Sequence, residues 1–161
     1  MKKFTKAVSL LLVLLTLTAL LCACGSSAKD VPVADLAEAV AGAVSASDSQ
    51  SMVDPGESYV KGYMKKSASE IGEYAIRKNV MGTSIDEFGV FKAGTMTAKD
   101  LQTMIEDYLQ ILNDSWMNYQ PEEKPKLDGA EVKIVGDYVM YAILSEADRT
   151  AAFAAFENAL K

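Results

Sequence analysis

The only two cysteines of the chain, Cys22 and Cys24, stand one residue apart in the stretch LLCACGSS at residues 20–27. This spacing is compatible with a disulfide, a metal-binding corner or a covalent modification. An uncharged apolar run, Ala7 to Leu21, comes directly before, and three lysines precede it. A basic start followed by about 15 apolar residues is typical of a secretory signal peptide and too short for a membrane-spanning helix. We therefore expect the protein to be exported.

Leu21-Cys22-Ala23-Cys24 resembles the lipobox of bacterial lipoproteins, in which an aliphatic and two small residues precede a cysteine. The resemblance implies cleavage between Ala23 and Cys24, loss of Cys22, and a diacylglyceryl group on the sulfur of Cys24. Two acyl chains on one residue are sufficient for stable anchoring. The predicted location is the extracytoplasmic face of the cell membrane, with the membrane itself as the partner of Cys24. The alternative is an ordinary secretory cleavage after Ala23 or Gly25, which would release a soluble protein.

The charge balance excludes one class of partner. Residues 1–23 carry three lysines and no acid, so the net charge changes from −6 to −9 when they are removed. Nucleic-acid binding needs clustered lysine and arginine, so no nucleic-acid partner is expected. The same balance argues against an electrostatic contact with anionic lipid. The remaining chain is long enough to bury the core of one domain.

Few residues could carry catalysis. The chain has no histidine, which removes histidine-based triads and the usual histidine-bearing zinc sites. Paired carboxylates in a cleft can hydrolyse glycosides. The candidate pairs are Glu70/Glu73, Asp86/Glu87, Glu106/Asp107 and Glu122/Glu123. Each is adjacent in sequence or on a predicted surface, so we expect solvated side chains and assign no catalytic, metal-binding or cofactor-binding residue and no cofactor.

Two further groups of residues could bind a partner. Trp116 and Tyr119 lie at a predicted helix end beside a proline-containing loop, where aromatic side chains can form a binding patch. We favour packing of Trp116 against the sheet. The methionines have no common spacing, which favours core filling over a copper site or a peptide groove. They include Met64, Met81, Met96, Met104, Met117 and Met140.

Hydrophobic periodicity predicts the elements. A helical period runs from Val33 to Val44, a linker covers 45–58 and a short helix ends near Lys66. Alternating runs predict two β-hairpins, 73–80 with 88–93 and 132–134 with 138–144. Thr97 and Ser145 are predicted to cap two amphipathic helices, the first ending near Tyr119, with a charged loop over 120–129 between them.

This order predicts an α+β fold, a two-layer ββαββα domain with a largely antiparallel sheet and helices on one face, preceded by an N-terminal helix. The predicted organisation is a lipoprotein signal peptide at 1–23, a tether with an amphipathic helix and linker at 24–58, and the α+β domain at 59–161.

The second half of the chain resembles the domain of unknown function 4358 family, whose members are small, mostly Gram-positive lipoproteins. The resemblance rests on EFGVFKA at 87–93, Tyr119-x-Pro121, GDYV at 136–139 and the closing helix. It covers roughly residues 59–161, and 31–58 match less clearly. It implies the fold and a lipoprotein location, and it brings no activity, ligand or catalytic residue.

We therefore expect a membrane-anchored extracytoplasmic lipoprotein that acts as a non-enzymatic binding or interaction module of the cell envelope, with an envelope protein or peptide as a further partner. The alternative is a small carboxylate-dependent hydrolase or an accessory ligand-binding subunit of an envelope or transport complex. A deep pocket with convergent acids would favour the hydrolase, and a filled core with shallow grooves would favour the interaction module.

Overall fold

The computed structural model describes residues 28–45, 52–80, 84–116 and 120–161. The expected signal peptide lies outside these residues, as do Cys22, Cys24, Met81, Met117 and Tyr119. Within the described ranges, no helix combines the length and the apolar character needed to cross a membrane.

Five strands form one antiparallel sheet with the spatial order β1-β2-β3-β5-β4. They are β1 (Met52–Val53), β2 (Glu73–Asn79), β3 (Glu87–Lys92), β4 (Glu131–Val135) and β5 (Tyr138–Ile143). Both predicted hairpins are present, because β2 pairs with β3 and β4 pairs with β5. The second hairpin turns at Gly136, whose φ of +58° suits a residue without a Cβ. The α+β class and the antiparallel sheet are therefore confirmed.

Six helices are described, and they are α1 (Val33–Ala41), α2 (Glu57–Tyr63), α3 (Ala68–Ile71), α4 (Ala98–Trp116), α5 (Lys124–Asp128) and α6 (Glu146–Ala159). The Thr97 hydroxyl accepts the Asp100 N–H at 3.1 Å, and the Asp100 carboxylate accepts the Thr97 N–H at 3.1 Å, which caps α4 as predicted. The prediction of a loop over 120–129 is wrong, because α5 forms there. Pro125 is tolerated in its first turn, and Leu127 is buried.

Helices cover both faces of the sheet, so the prediction that they cover only one face is wrong. Phe88 and Val90 of β3 pack with α1 and α6, whereas Phe91 on the opposite pleat packs with α2, α3, α4 and α5. β5 is buried at all six positions. A strand that is apolar on both pleats needs a cover on each face. The short elements β1, α2, α3 and α5 also make the element order longer than ββαββα.

The first helix belongs to this core. Its predicted stripe of Val33, Leu36 and Val40 is buried against α6 and the sheet. Residues 33–44, which the sequence placed with the tether, thus pack as part of the folded domain.

The segment before α1 is fixed to one end of the sheet. The Lys29 N–H donates to the Leu160 carbonyl at 3.0 Å. The Tyr138 hydroxyl accepts the Val31 N–H at 2.9 Å and lies 2.8 Å from the Val31 carbonyl, to which it can donate. A Cβ on Gly136 would lie 2.7 Å from the Cβ of Ala28. The chain therefore enters the domain at the β4–β5 turn.

Candidate functional site

The central polar site is built around Glu87, the first residue of β3. The sheet register places it opposite Lys78 of β2 and Ile143 of β5. Its side chain is 0% exposed, and the neighbouring Asp86 is also buried. The prediction that Asp86 and Glu87 form a solvated pair is therefore wrong. Glu87 is buried because helices cover its face of the sheet, and Asp86, just before β3, is enclosed by its contacts with Ser84 and Lys126.

Four side chains place a donor group within hydrogen-bond distance of the Glu87 carboxylate. Tyr108 donates to Oε1 at 2.6 Å, and Tyr141 donates to the same oxygen. Tyr59 lies 3.0 Å from Oε2, and the Lys78 ammonium donates to Oε2 at 2.9 Å. A carboxylate has about four acceptor positions, so the acid is fully satisfied. The donors come from α2, β2, α4 and β5.

The hydroxyl of Tyr59 has two possible hydrogen-bond acceptors. The hydroxyl oxygens of Tyr59 and Tyr108 lie 2.6 Å apart. Tyr108 has one proton, and when it is donated to Glu87 the short contact needs the proton of Tyr59. Tyr59 therefore donates either to Tyr108 or to Oε2 of Glu87. It is the member of the network whose hydrogen bond can switch.

A glycine makes room for this network in the middle of the sheet. Gly89 pairs directly with Tyr141 across β3 and β5. A Cβ at residue 89 would lie 2.4 Å from Cε1 of Tyr141 and 3.0 Å from Cε2 of Phe91. The Tyr141 ring therefore lies over the backbone of Gly89, which lets its hydroxyl reach the carboxylate.

The surroundings keep these tyrosines protonated. Burial raises the pKa of Tyr108 well above its ordinary value, and the nearby Tyr141 and Glu87 raise it further. Burial followed by the charge of Glu87 raises the pKa of Tyr141 in the same way. The same two causes raise the pKa of Tyr59. The three hydroxyls are therefore hydrogen-bond donors at neutral pH, not bases or nucleophiles.

The site approaches the surface at Lys78, whose side chain is 20% exposed. The Lys78 ammonium lies 5.4 Å from the centroid of the Tyr59 ring, and Tyr63 packs on Tyr59 at a centroid distance of 4.7 Å. Val53 of β1 pairs with Lys78 in register and so lies on the same face. Val53 is 44% and Tyr63 is 43% exposed. We call Val53, Tyr59, Tyr63 and Lys78 the Lys78 patch.

A second polar cluster surrounds Asp86 and ties α5 to the loop before β3. The Lys126 ammonium lies 2.8 Å from Oδ1 of Asp86 and 3.1 Å from Oε2 of Glu123. Glu123 also accepts the Ile85 N–H at 2.9 Å, and Ser84 donates to Asp86. Burial opposes the charge of Lys126, but its bonds to Asp86 and Glu123 outweigh burial and raise its pKa. Lys126 therefore stays charged and is no base for the Ser84 hydroxyl, 3.4 Å away.

Neither cluster presents a free acid. The oxygens of Glu87 and Asp86 accept bonds from lysine and hydroxyl groups, which leaves no ready acceptor for a substrate proton. Over the described residues, no group of three or more His, Cys, Asp or Glu side chains is placed to hold a metal ion. The arrangement of Glu87 and its donors is suited to holding α2, β2, α4 and β5 in fixed positions around β3.

The other sequence candidates are dispersed. Glu106, Asp107 and Glu122 are exposed. Glu70 caps α3, and bonds from the Ser67 backbone, the Ser67 side chain and Lys66 lower its pKa to about 2. The methionines Met64, Met104 and Met140 are buried in the core, as predicted. Trp116 is the last residue of α4, and its side chain is outside the part of the chain that the structure describes. The aromatic patch therefore stays a prediction.

The fold and this network define a small α+β domain whose antiparallel sheet is covered on both faces and whose core holds a glutamate–tyrosine–lysine network. The chain belongs to the family described as a domain of unknown function (DUF4358), whose family model matches residues 45–144, more than half of the chain. All five members of the Glu87 network lie within the matched residues. Comparison with curated proteins and with solved structures returned no match.

Sequence reasoning missed Tyr59, Lys78, Tyr108 and Tyr141 as partners of Glu87. One signal was available. In the predicted hairpin, a register that pairs residue 73 with 92 also places Lys78 opposite Glu87, as observed. The tyrosines come from elements far apart in the sequence, and no local spacing connects them.

Removing the central carboxylate should strongly destabilise the fold. We expect Glu87→Ala to lower the free energy of unfolding by about 3–5 kcal/mol, because Lys78 loses its counter-ion and three hydroxyls lose their acceptor. Urea denaturation followed by circular dichroism measures this change. The matched control is Glu122→Ala, which removes an exposed glutamate. Equal stabilities of the two variants would contradict a holding role for Glu87.

Alkaline pH should unfold the protein through the buried tyrosines. The pKa values of Tyr108 and Tyr141 are raised in the folded state, so the unfolded state loses protons first, at about pH 10. The free energy of unfolding should be unaffected by these groups below that pH. Above it, stability should fall by up to about 1.4 kcal/mol per pH unit for each tyrosine.

The measurement is ultraviolet absorbance of tyrosinate recorded together with circular dichroism. Part of the absorbance rise should coincide with loss of secondary structure, and Tyr108→Phe should reduce that part. Complete ionisation of the tyrosines while the circular dichroism is unchanged would show that the hydroxyls of the Glu87 network are accessible.

Proposed function

We propose that this protein is a membrane-anchored extracytoplasmic lipoprotein that acts as a non-enzymatic interaction module of the cell envelope. The observation that carries the anchor is the position of Cys24, four residues before Ala28, where the chain is already fixed to the domain. A lipid on Cys24 would hold the folded domain directly at the bilayer. The mature net charge of −9 offers no electrostatic substitute for the acyl chains.

The geometry favours an interaction module over a hydrolase. The carboxylates in the core, Glu87 and Asp86, are paired and enclosed. A depression of about 470 Å³ is lined by Asp30 and Asp137 among others. The Asp30 side chain is 85% exposed and paired with Lys92 at 2.8 Å, so this depression is an open surface feature without a free buried acid.

We assign partner contact to the Lys78 patch. It combines an exposed aromatic ring and an exposed apolar side chain with the Lys78 ammonium, which is paired with the buried Glu87 beneath it. Aromatic residues are enriched at the centres of protein interfaces, where they combine a large apolar area with a polar end. The partner that fits this chemistry is an envelope protein that presents apolar side chains and a carboxylate.

The anchor is tested by cell fractionation. Cys24→Ala should move the protein from the membrane fraction to the medium or leave an unprocessed precursor, because the sulfur that forms the thioether is lost. Cys22→Ala is the matched control and should remain in the membrane fraction at mature size. A Cys24→Ala protein that stays membrane-bound at mature size would refute the lipid anchor.

The contact surface is tested by site-specific photocrosslinking in native membranes. A photoreactive amino acid at Tyr63 should give a discrete adduct. Val53→Glu should abolish it, because Val53 is exposed and lies opposite Lys78, so the new carboxylate would compete for the ammonium without removing the counter-ion of Glu87. The matched control is the same amino acid at Ile134, which is 39% exposed at the opposite edge of the sheet. Equal adducts from both positions, or an adduct that persists with Val53→Glu, would contradict the assignment.

A further inference from the structure

Different segments of the chain lie at the two ends of the sheet. One end holds residues 28–31, the turn at Gly136–Asp137 and the C-terminal Leu160–Lys161, and we call it the turn end. The opposite end holds Lys78 and the start of β3. Between Glu73 and Lys78 the strand β2 rises about 17 Å at 3.4 Å per residue.

The segment at the turn end is held by several independent contacts. Asp30 accepts a hydrogen bond from Lys92 at 2.8 Å, and its Oδ1 lies 3.0 Å from the Tyr138 hydroxyl, which can donate to it or to the Val31 carbonyl. Backbone bonds hold Lys29 and Val31, and Ala28 packs on the backbone of Gly136. The path of the chain from Ala28 onward is thus fixed relative to the sheet.

The chain between the proposed anchor at Cys24 and this point is short. Cys24 lies four positions before Ala28, and a fully extended chain spans at most about 3.6 Å per residue. The Cα of Cys24 therefore lies within about 14 Å of the turn end, whatever conformation the intervening residues adopt. This reach is shorter than the length of the sheet.

We infer that the turn end faces the lipid surface and that the Lys78 patch points away from it. This inference rests on the proposed anchor at Cys24 and adds the orientation of the domain.

The cysteine content makes the orientation measurable. The chain has two cysteines, of which Cys22 leaves with the signal peptide and Cys24 is acylated under the proposed function. A cysteine introduced elsewhere is then the only free thiol. Asp137→Cys places it at the turn end, and Glu146→Cys places it beyond β5 at the opposite end, and both replace an exposed acid.

Each variant is purified with its lipid, labelled with an environment-sensitive fluorophore, and reconstituted into phosphatidylcholine–phosphatidylglycerol vesicles with and without a headgroup nitroxide. The fluorophore at 137 should be quenched several-fold more strongly than that at 146. A twelve-residue Gly-Ser segment inserted between Ser27 and Ala28 adds a root-mean-square length of about 20 Å and should remove the difference.

Flotation of the vesicles separates the two ways to fail. Protein that floats with the vesicles but is quenched equally at both positions overturns the orientation and leaves the anchor intact. Stronger quenching at 146 also overturns it. Protein that does not float overturns the anchor and the orientation with it.

Discussion

The buried carboxylate of Glu87 constrains most of this fold. An ionised acid without partners in a core costs many kcal/mol, so the chain has to bring donors to it. Lys78 arrives through the register of the first hairpin, and Tyr141 through the register of β5. Tyr59 and Tyr108 arrive only when α2 and α4 lie over that face of the sheet. A displacement of any of these elements would leave the acid short of a donor.

The Glu87 network fixes the relative positions of the elements more than it increases the free energy of unfolding. A buried ion pair often contributes no more than well-packed apolar residues of the same volume, although breaking it is costly. The opposite face of the sheet illustrates the contrast. There α1 and α6 pack through small and apolar side chains such as Ala37, Ala152 and Phe156, and the core cluster holds one polar tip, the hydroxyl of Tyr138. That hydroxyl accepts a hydrogen bond from the Val31 N–H. Each face of the sheet therefore has a hydrogen bond of defined geometry within its apolar packing.

Much of the fold follows from local pattern. Alternating runs predicted β2 and β3, an apolar run after a Gly-Asp turn predicted β5, and the caps at Thr97 and Ser145 predicted where α4 and α6 begin. The two-residue strand β1 and the short helix α5 carry too little periodicity to be seen. The covering of both faces was readable in principle from the uninterrupted apolar run at 138–144, which is typical of a strand buried on both pleats.

The site was harder to predict than the elements because its members meet only in three dimensions. Glu87 was interpreted as solvated since acids are mostly exposed, yet the same alternation places it on one pleat with Gly89 and the buried Phe91. Hairpin register then supplies Lys78 as a counter-ion. Tyr59 and Tyr108 depend on how α2 and α4 cross the sheet, which no spacing in the sequence encodes.

The antiparallel sheet also separates the two proposed contacts of the protein. The chain enters at Ala28 beside the β4–β5 turn, and Lys78 lies near the other end of the strands. Under the proposed anchor at Cys24, attachment at this end would leave the other end facing away from the membrane. The rigidity that the Glu87 network gives to α2 and β2 then serves the Lys78 patch directly, because Tyr59 and Lys78 belong to both. A buried network that looks purely structural would in this way fix the shape of the surface offered to a partner.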